Sequence, residues 1–453
     1  MPKNPPTTAA SAKETIAAIA TASGRGGIGV VRVSGSALAA FAERLTGKAC
    51  PAPRVAALTA FLDEHGQAID HGILLYFPAP HSFTGEDVLE LHGHGGPVVL
   101  QLLLTRCLAL GARLARPGEF TERAFLNGKL DLAQAESVAS LIDAATAAAA
   151  RAAVRSLAGE FSARIHALAD ELLQLRLELE AALDFPEEEI DFISEARIHE
   201  RLAALCQRLD ATRAQARRGA VLEEGLTLVL AGRPNVGKSS LLNALAEEER
   251  AIVTDLPGTT RDALHHRIAV HGIAVTLIDT AGLRQTDDPV ERLGIERAWQ
   301  EIARADLVLR LLDASAGETE EDRRIAAQLP AHLPVLTVWN KTDLTATPAG
   351  RQGAALHISA RHHQGLEALR AAILETTGNA ATGEEDVLLA RTRHLDCLAR
   401  TATHLAQAAG QHDQPELLAE DLRLAHRALG EITGECTPDD LLGAIFARFC
   451  IGK

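Results

Sequence analysis

The chain has 453 residues, with 60 acidic against 45 basic side chains for a formal net charge of -15, and only 3% of its residues are aromatic. That balance excludes a protein that coats nucleic acid nonspecifically, which needs clustered Lys and Arg against the phosphates, and the scarcity of aromatic rings excludes an extended base-stacking platform. Any RNA contact is local or shared with a partner, and the length leaves room for roughly two to four domains, each with a core of its own.

The N-terminus is polar and proline-rich through Pro6 and has no apolar signal core. From Thr15 to about Gly128, β-rich runs (Ile28 to Val33, Ile69 to Phe77, Val88 to Leu91) mix with helical ones (Ser36 to Leu45, Val98 to Leu110), the pattern of a compact α+β domain. Gly24-Arg25-Gly26-Gly27 and His92-Gly93-His94-Gly95-Gly96 punctuate it. The first suits a turn better than an anion nest, and His92 and His94, two apart at a strand end without a third ligand, suit a turn better than a metal site.

From Leu130 to Leu183 apolar residues recur at spacings of three and four without a proline, which predicts long helices. The acidic run Asp184 to Asp191 breaks them. It reads as a solvated loop rather than a metal site built from Glu187, Glu188, Glu189 and Asp191, because adjacent carboxylates repel unless a cation is present. Ser194 is placed to cap a further helix to about Arg218.

From Val221 to about Glu375, strands at Leu226 to Ala231, Ile273 to Ile278, Leu307 to Leu312, Val335 to Trp339 and Ala355 to Ile358 alternate with helical periodicity, predicting a doubly wound sheet. Arg267 to Val270 and Ile273 to Asp279, joined through His271-Gly272, read as a hairpin adding an antiparallel edge strand. Helices return over Glu385 to Gln407, Pro415 to Ile432 and Pro438 to Phe449, so the sheet domain is expected to be an insertion in one helical domain.

Six cysteines lie far apart with no C-x-x-C pair, as suits reduced thiols in a cytosol, and no run reaches about eighteen apolar residues, so a cytoplasmic protein without a membrane span is expected. The last four residues, Cys450-Ile451-Gly452-Lys453, outline a prenylation box, but Gly452 and the terminal Lys depart from it.

The chemistry concentrates at Leu226 to Ser240, where an apolar strand runs into G-x-x-x-x-G-K-S framed by Gly232 and Gly237. Backbone N-H groups from Asn235, Val236 and Gly237 through Ser240 suit phosphate oxygens, Lys238 the terminal phosphates, and the Ser239 hydroxyl Mg2+. Asp279-Thr280-Ala281-Gly282 ends a second strand, where the carboxylate can hold Mg2+ through water and the Gly N-H can meet a γ-phosphate. Between them Thr254 to Asp262 forms a Gly/Pro-broken loop, a switch candidate whose Thr260 can complete the Mg2+ shell. Asn340-Lys341-Thr342-Asp343 follows a third strand; Asp343 can accept from guanine's ring N-H and amino group, a pair adenine cannot supply, and Ser359-Ala360-Arg361 can close over the base. These five elements in order predict GTP binding. Leu283 stands where many small GTPases place the glutamine that orients water, so hydrolysis needs another group.

The flanks narrow this further. Gly24 to Gly35 (GRGGIGVVRVSG), Ser82 to Pro97 (SFTGEDVLELHGHGGP), Arg116 to Glu136 (RPGEFTERAFLNGKLDLAQAE) and the final FCIGK resemble the tRNA modification GTPases of the MnmE (TrmE) family over nearly the whole chain. The resemblance implies an N-terminal tetrahydrofolate-binding and dimerisation domain at 1–128, a discontinuous helical domain at 129–220 and 383–453, and an inserted P-loop GTPase domain at 221–382. It implies a homodimer that works with an FAD-dependent protein of the MnmG (GidA) family, which also supplies most of the tRNA contact. The chemistry it implies is addition of an aminomethyl-type group to C5 of the wobble uridine, with the carbon drawn from 5-formyl- or methylene-tetrahydrofolate.

Carried over by position, the resemblance assigns Arg32, Glu90, Lys129 and the terminal Lys453 to folate, with Glu90 suited to the pterin's donor edge and the basic groups to its carboxylates. It assigns Asn235, Thr254, Leu256 and Thr259 to a K+ ion, and Glu291 to the general base or water-orienting acid, a position otherwise readable as a helix N-terminal carboxylate. Two departures are His92, where some relatives carry Gln, and Gly128, where relatives can carry Asp. The alternative is a ribosome-assembly or signalling GTPase switch without modification chemistry.

Overall fold

A computed structural model describes residues 14–184, 195–248, 265–279, 303–353, 355–378, 387–411, 414–435, 439–447, 449–450 and 452. The chain divides into two compact units, 1–139 with 430–453, and 140–429.

In the first unit, β1 (Ile16–Ile19), β2 (Gly29–Gly35), β3 (Ala57–Leu62), β4 (Ala68–Phe77), β5 (Asp87–Gly93) and β6 (Arg113–Leu114) form a six-stranded sheet in the order β3-β4-β5-β2-β1-β6. All neighbours are antiparallel except β1 and β6. Helices α1 (Leu38–Thr46) and α2 (Pro97–Ala109) bury Phe41, Leu45, Leu103 and Cys107 with Val31, Val33, Leu89 and Leu91 of the sheet. Successive strand residues face opposite ways, so burying those four sends Arg32 and Glu90, which pair in register, to the other face. That face meets α3 (Glu119–Leu126), whose Phe120 joins Ile16, Ala18 and Ala115. α4 (Leu132–Asp143) follows. The two glycine turns lie against each other, with Gly26 N-H donating to the Gly95 carbonyl at 3.1 Å. His94 is tied to Asp70 at 2.8 Å.

The second unit continues with α5 (Ala147–Leu157), α6 (Glu160–Asp184) and α7 (Glu195–Glu224). α7 runs past Arg218, the expected end, because Ala220 and Leu222 keep the buried stripe going. The acidic run from Glu187 to Asp191, and Ser194, lie outside the described residues. After Gly225 the sheet domain begins with β7 (Leu226–Ala231) and α8 (Lys238–Glu248). β8 (His265–Val270), β9 (Ile273–Asp279), β10 (Leu307–Asp313), α9 (Glu320–Gln328), β11 (Val335–Asn340), β12 (Gly350–Gln352), β13 (Ala355–His357) and α10 (Leu366–Thr376) complete it.

The strand order is β12-β13-β11-β10-β7-β9-β8, with β13, β11, β10, β7 and β9 parallel and both edges antiparallel. β8 and β9 form the expected hairpin, whereas β12 is an addition, since the three residues Gly-Arg-Gln carry no apolar alternation of their own. The central strands are buried on both faces: Leu228 and Leu230 pack with Leu241, Leu309 and Leu311, while Val229 and Ala231 pack with Ile278 and Val308.

Helices α11 (Thr392–Ala409), α12 (Pro415–Thr433) and α13 (Asp439–Phe446) close the chain. The helix expected from Glu385 starts only at Thr392. Among the described residues before it, 387–391 run without helix, with Leu388, Leu389 and Ala390 buried and the Val387 carbonyl accepting from Arg155 at 3.3 Å. Arg391 then pairs with Glu223 at the end of α7, Nε to Oε1 at 2.8 Å, and Ser140 Oγ donates to the same oxygen at 2.7 Å. Burial pushes the Glu223 carboxyl up, and Arg391 and Ser140 oppose that shift.

Candidate functional site

Among the described residues, the loops after β7, β11 and β13 converge at the carboxyl ends of parallel strands, where ligands bind in doubly wound sheets. β7 turns at Gly232 into a loop in which Asn235 has φ 65° and Gly237 φ 99°, both left-handed, a backbone suited to an anion nest, and α8 starts at Lys238. A Cβ at Gly237 would lie 2.2 Å from Asn340 Nδ2, so only glycine fits there. Lys238, 7% exposed, folds its ammonium back onto the loop and donates to the Gly232 carbonyl at 2.7 Å. Asn235, Ser239 and Ser240 are exposed, and Val236 is buried in the core.

Asn340, 2% exposed, ties the site together. Its Nδ2 donates to the Val236 carbonyl at 2.8 Å, and its Oδ1 accepts from Ala360 N-H at 3.0 Å, so one amide links the phosphate loop to the loop after β13. Asp343 follows in a short 3-10 turn, its Oδ1 accepting from Ser359 Oγ at 2.6 Å and its other oxygen lying 3.8 Å from His362. The Ser359 hydrogen bond holds its carboxyl below the usual carboxylate range, so Asp343 is an oriented anionic acceptor at neutral pH. Arg361 is exposed beside it. Asp279 ends β9 opposite Leu230.

The remaining sequence-based candidates for this site lie outside the described residues: Thr254, Leu256, Thr259, Thr260, Thr280, Ala281, Gly282 and Glu291. One residue absent from the sequence-based set belongs to it. Asp313, at the end of β10, accepts from Lys341 Nζ at 2.7 Å, and burial of the carboxyl is outweighed by hydrogen bonds from Lys341 and Ser315, which hold it at about 2. The available signal was an acid at the carboxyl end of an apolar run, the position already weighed for Asp279.

A second constellation lies on the sheet of the first unit. The Arg32 guanidinium donates to Glu90 Oε1 from Nε at 3.1 Å and Nη2 at 2.9 Å, and sits 5.7 Å from the Phe83 ring and 5.8 Å from Phe120. His92 completes the cluster, its Nε2 3.2 Å from the other Glu90 oxygen. Lys129 Nζ donates to the Pro80 carbonyl at 3.1 Å and Asn127 Nδ2 to the Thr84 carbonyl at 2.6 Å, so the residues after α3 are anchored to the loop that carries Phe83. Arg32, Glu90 and Lys129 thus gather around one loop, while Lys453 lies outside the described residues. Phe83, Phe120 and His92 are additions, since their roles depend on where the sheet places Arg32.

A family model described as GTP-binding protein TrmE N-terminus matches residues 15–129, and one described as MnmE helical domain matches 132–450. The chain belongs to the MnmE family of tRNA modification GTPases. It is 58% identical over 449 residues to the tRNA modification GTPase MnmE of Aromatoleum aromaticum, covering 98% of this chain and 99% of that protein. It is 59% identical over 445 residues to the tRNA modification GTPase MnmE of an Azoarcus species, covering 97% and 98%. Among solved structures it is similar to Aquifex aeolicus Era at 23% identity and a TM-score of 0.27, covering 40% of this chain and 66% of that one. Among the described residues no helix is long and apolar enough to cross a membrane.

An Asp343 carboxylate oriented in this way can accept from guanine's ring N-H and amino group. Asp343→Asn is expected to weaken GTP binding tenfold or more, because a charged hydrogen bond is worth about 1.5 to 3 kcal/mol, and to improve XTP binding, since xanthine offers an acceptor where guanine has an amine. Dissociation constants for both nucleotides check this; unchanged GTP affinity removes the assignment.

Proposed function

We propose that the protein couples GTP hydrolysis to one-carbon modification of the wobble uridine of tRNA at C5, acting as a homodimer with an FAD-dependent MnmG-family partner. The observation that carries the folate part is the Arg32–Glu90 pair flanked by Phe83 and Phe120. A carboxylate held by a guanidinium beside aromatic rings suits a flat, donor-edged heterocycle, and Lys129 nearby suits a ligand carboxylate. The end of the chain supports the same reading. Gly118 N-H donates to the Cys450 carbonyl at 3.3 Å, and a Cβ at Gly452 (φ 96°) would lie 2.5 Å from the Ile19 carbonyl, so the tail is seated on the strand next to β2. Lys453 follows directly.

Titration calorimetry with 5-formyl-tetrahydrofolate tests this. The full chain is expected to bind it, and Glu90→Gln and a chain lacking Gly452 and Lys453 are each expected to bind at least tenfold more weakly, since each loses a charged contact. A folded protein with no folate affinity removes the folate part of the proposal.

In the nucleotide site, the exposed Ser239 hydroxyl at the start of α8 and Asp279 at the end of a neighbouring strand are hard oxygen donors of the kind Mg2+ takes, with Thr260 proposed to join them. Asn235, Thr254, Leu256 and Thr259 are proposed to hold K+, which would neutralise charge developing between the β- and γ-phosphates. Glu291 is proposed to orient the attacking water, because Leu283 occupies the position of the usual glutamine.

A further inference from the structure

We propose that Asp313 is a positioning residue of the nucleotide site, which fixes the side chain of Lys341 as a wall for the face of the purine and so sets affinity for the nucleotide without reading the base's edge. The inference rests on the GTP-site reading above and adds to it a residue from a different strand. Asp313 ends β10 and is 8% exposed; its Oδ1 accepts from Ser315 N-H at 2.9 Å and Ser315 Oγ at 2.6 Å, which leaves Oδ2 for Lys341 Nζ at 2.7 Å.

Lys341 is an unusual residue to find so constrained. It has φ 66°, a left-handed backbone that costs a non-glycine residue stability, and it lies between Asn340, whose amide joins two loops of the site, and the turn carrying Asp343. Its ammonium is therefore tethered at one end and its backbone at the other, which restrains the four methylenes between them, two residues before Asp343 in the chain. A free lysine stem loses rotamer freedom when a ring packs on it, and one already immobilised loses less. The Asp343 edge contact distinguishes guanine from other bases, whereas a methylene wall touches the face that all purines share. The two carboxylates thus do separable work: Asp343 for identity, Asp313 for strength.

The test is a double-mutant cycle on the full chain, with dissociation constants for GDP and IDP measured for the unaltered protein, Asp313→Asn, Lys341→Met and the double variant, and with thermal midpoints recorded alongside. Asp313→Asn is expected to weaken GDP and IDP by the same factor, about tenfold, leaving their ratio unchanged. Because Asp313 acts through Lys341, it is expected to cost less than twofold more in the Lys341→Met background. A cost that persists undiminished in that background, a changed GDP to IDP ratio, or no cost at all overturns the proposal. An unaltered protein that binds neither nucleotide overturns the GTP-site reading itself, so the two failures are distinct. Asp313→Glu, which keeps the charge on a longer stem, is expected to recover part of the affinity; a thermal midpoint lowered equally in all variants with affinity intact in the folded fraction assigns Asp313 to stability alone.

Discussion

Glu291→Ala is expected to lower steady-state GTP hydrolysis at least a hundredfold while changing GTP affinity by less than about threefold. A positioned acid or base contributes a factor of roughly 100 to 10,000 to a proton-transfer step and contributes little to ground-state binding of a nucleotide whose base and phosphates are held elsewhere. The groups proposed to hold them are Asp343, Asn340, Lys238 and the loop from Gly232 to Gly237. The measurement is the rate in potassium chloride against sodium chloride at matched ionic strength over a dilution series, beside nucleotide binding by calorimetry. The unaltered protein is expected to be faster in potassium and faster per molecule at higher concentration, since K+ is proposed to neutralise the developing charge and the protein is proposed to act as a homodimer. Equal, concentration-independent rates in both salts dispose of the potassium proposal, and a Glu291→Ala variant of undiminished rate disposes of the assignment of Glu291.

Asn340→Ala is expected to abolish measurable GTP binding and to lower the thermal midpoint of the sheet domain. The buried amide serves both the Val236 carbonyl and the Ala360 N-H, and alanine leaves each without that partner. An orphaned buried polar group costs about 1 to 3 kcal/mol, so the pair costs about 2 to 6 kcal/mol, against a total stability of about 5 to 15 kcal/mol for an ordinary domain. The loss falls on the two loops that close the site, so binding is expected to fall further than stability. Asn340→Asp is the informative companion: it keeps an acceptor for Ala360 N-H but sets a carboxylate against the Val236 carbonyl, so it is expected to disrupt the phosphate loop more than the loop after β13. Calorimetric unfolding together with nucleotide titration checks both variants; retention of GTP affinity within tenfold in Asn340→Ala shows that the phosphate loop holds its shape unaided.

Much of the sheet domain was legible before any coordinates, because its strands announce themselves in two ways. Leu226 to Ala231 and Leu307 to Leu312 are short apolar runs buried on both faces, and the first leads directly into G-x-x-x-x-G-K-S, so composition and motif mark the same boundary there. Two of the misses were of another kind. Gly350–Gln352 is a strand only because Ala355–His357 offers it an edge, and the residues before Thr392 look helical by composition yet run without helix beside the end of α7. Neither outcome is present in the local segment, since hydrogen bonding to a neighbour and burial against it are decided by what packs there.

The class of chemistry follows from residue types and their spacing alone. G-x-x-x-x-G-K-S, the acid after a strand, N-K-T-D and the flanking motifs specify phosphate, base and family through residue types whose spacing follows from a single turn or strand end. Which side chains meet across that spacing depends on the fold. Asp313 reaches Lys341 from an adjacent strand, 28 residues away in the chain, and Arg32 finds Glu90 58 residues on, because antiparallel register sets them opposite each other. A local motif carries its geometry in its own backbone dihedrals, whereas a long-range pair exists only once a sheet has closed and its cores have chosen which face each residue takes.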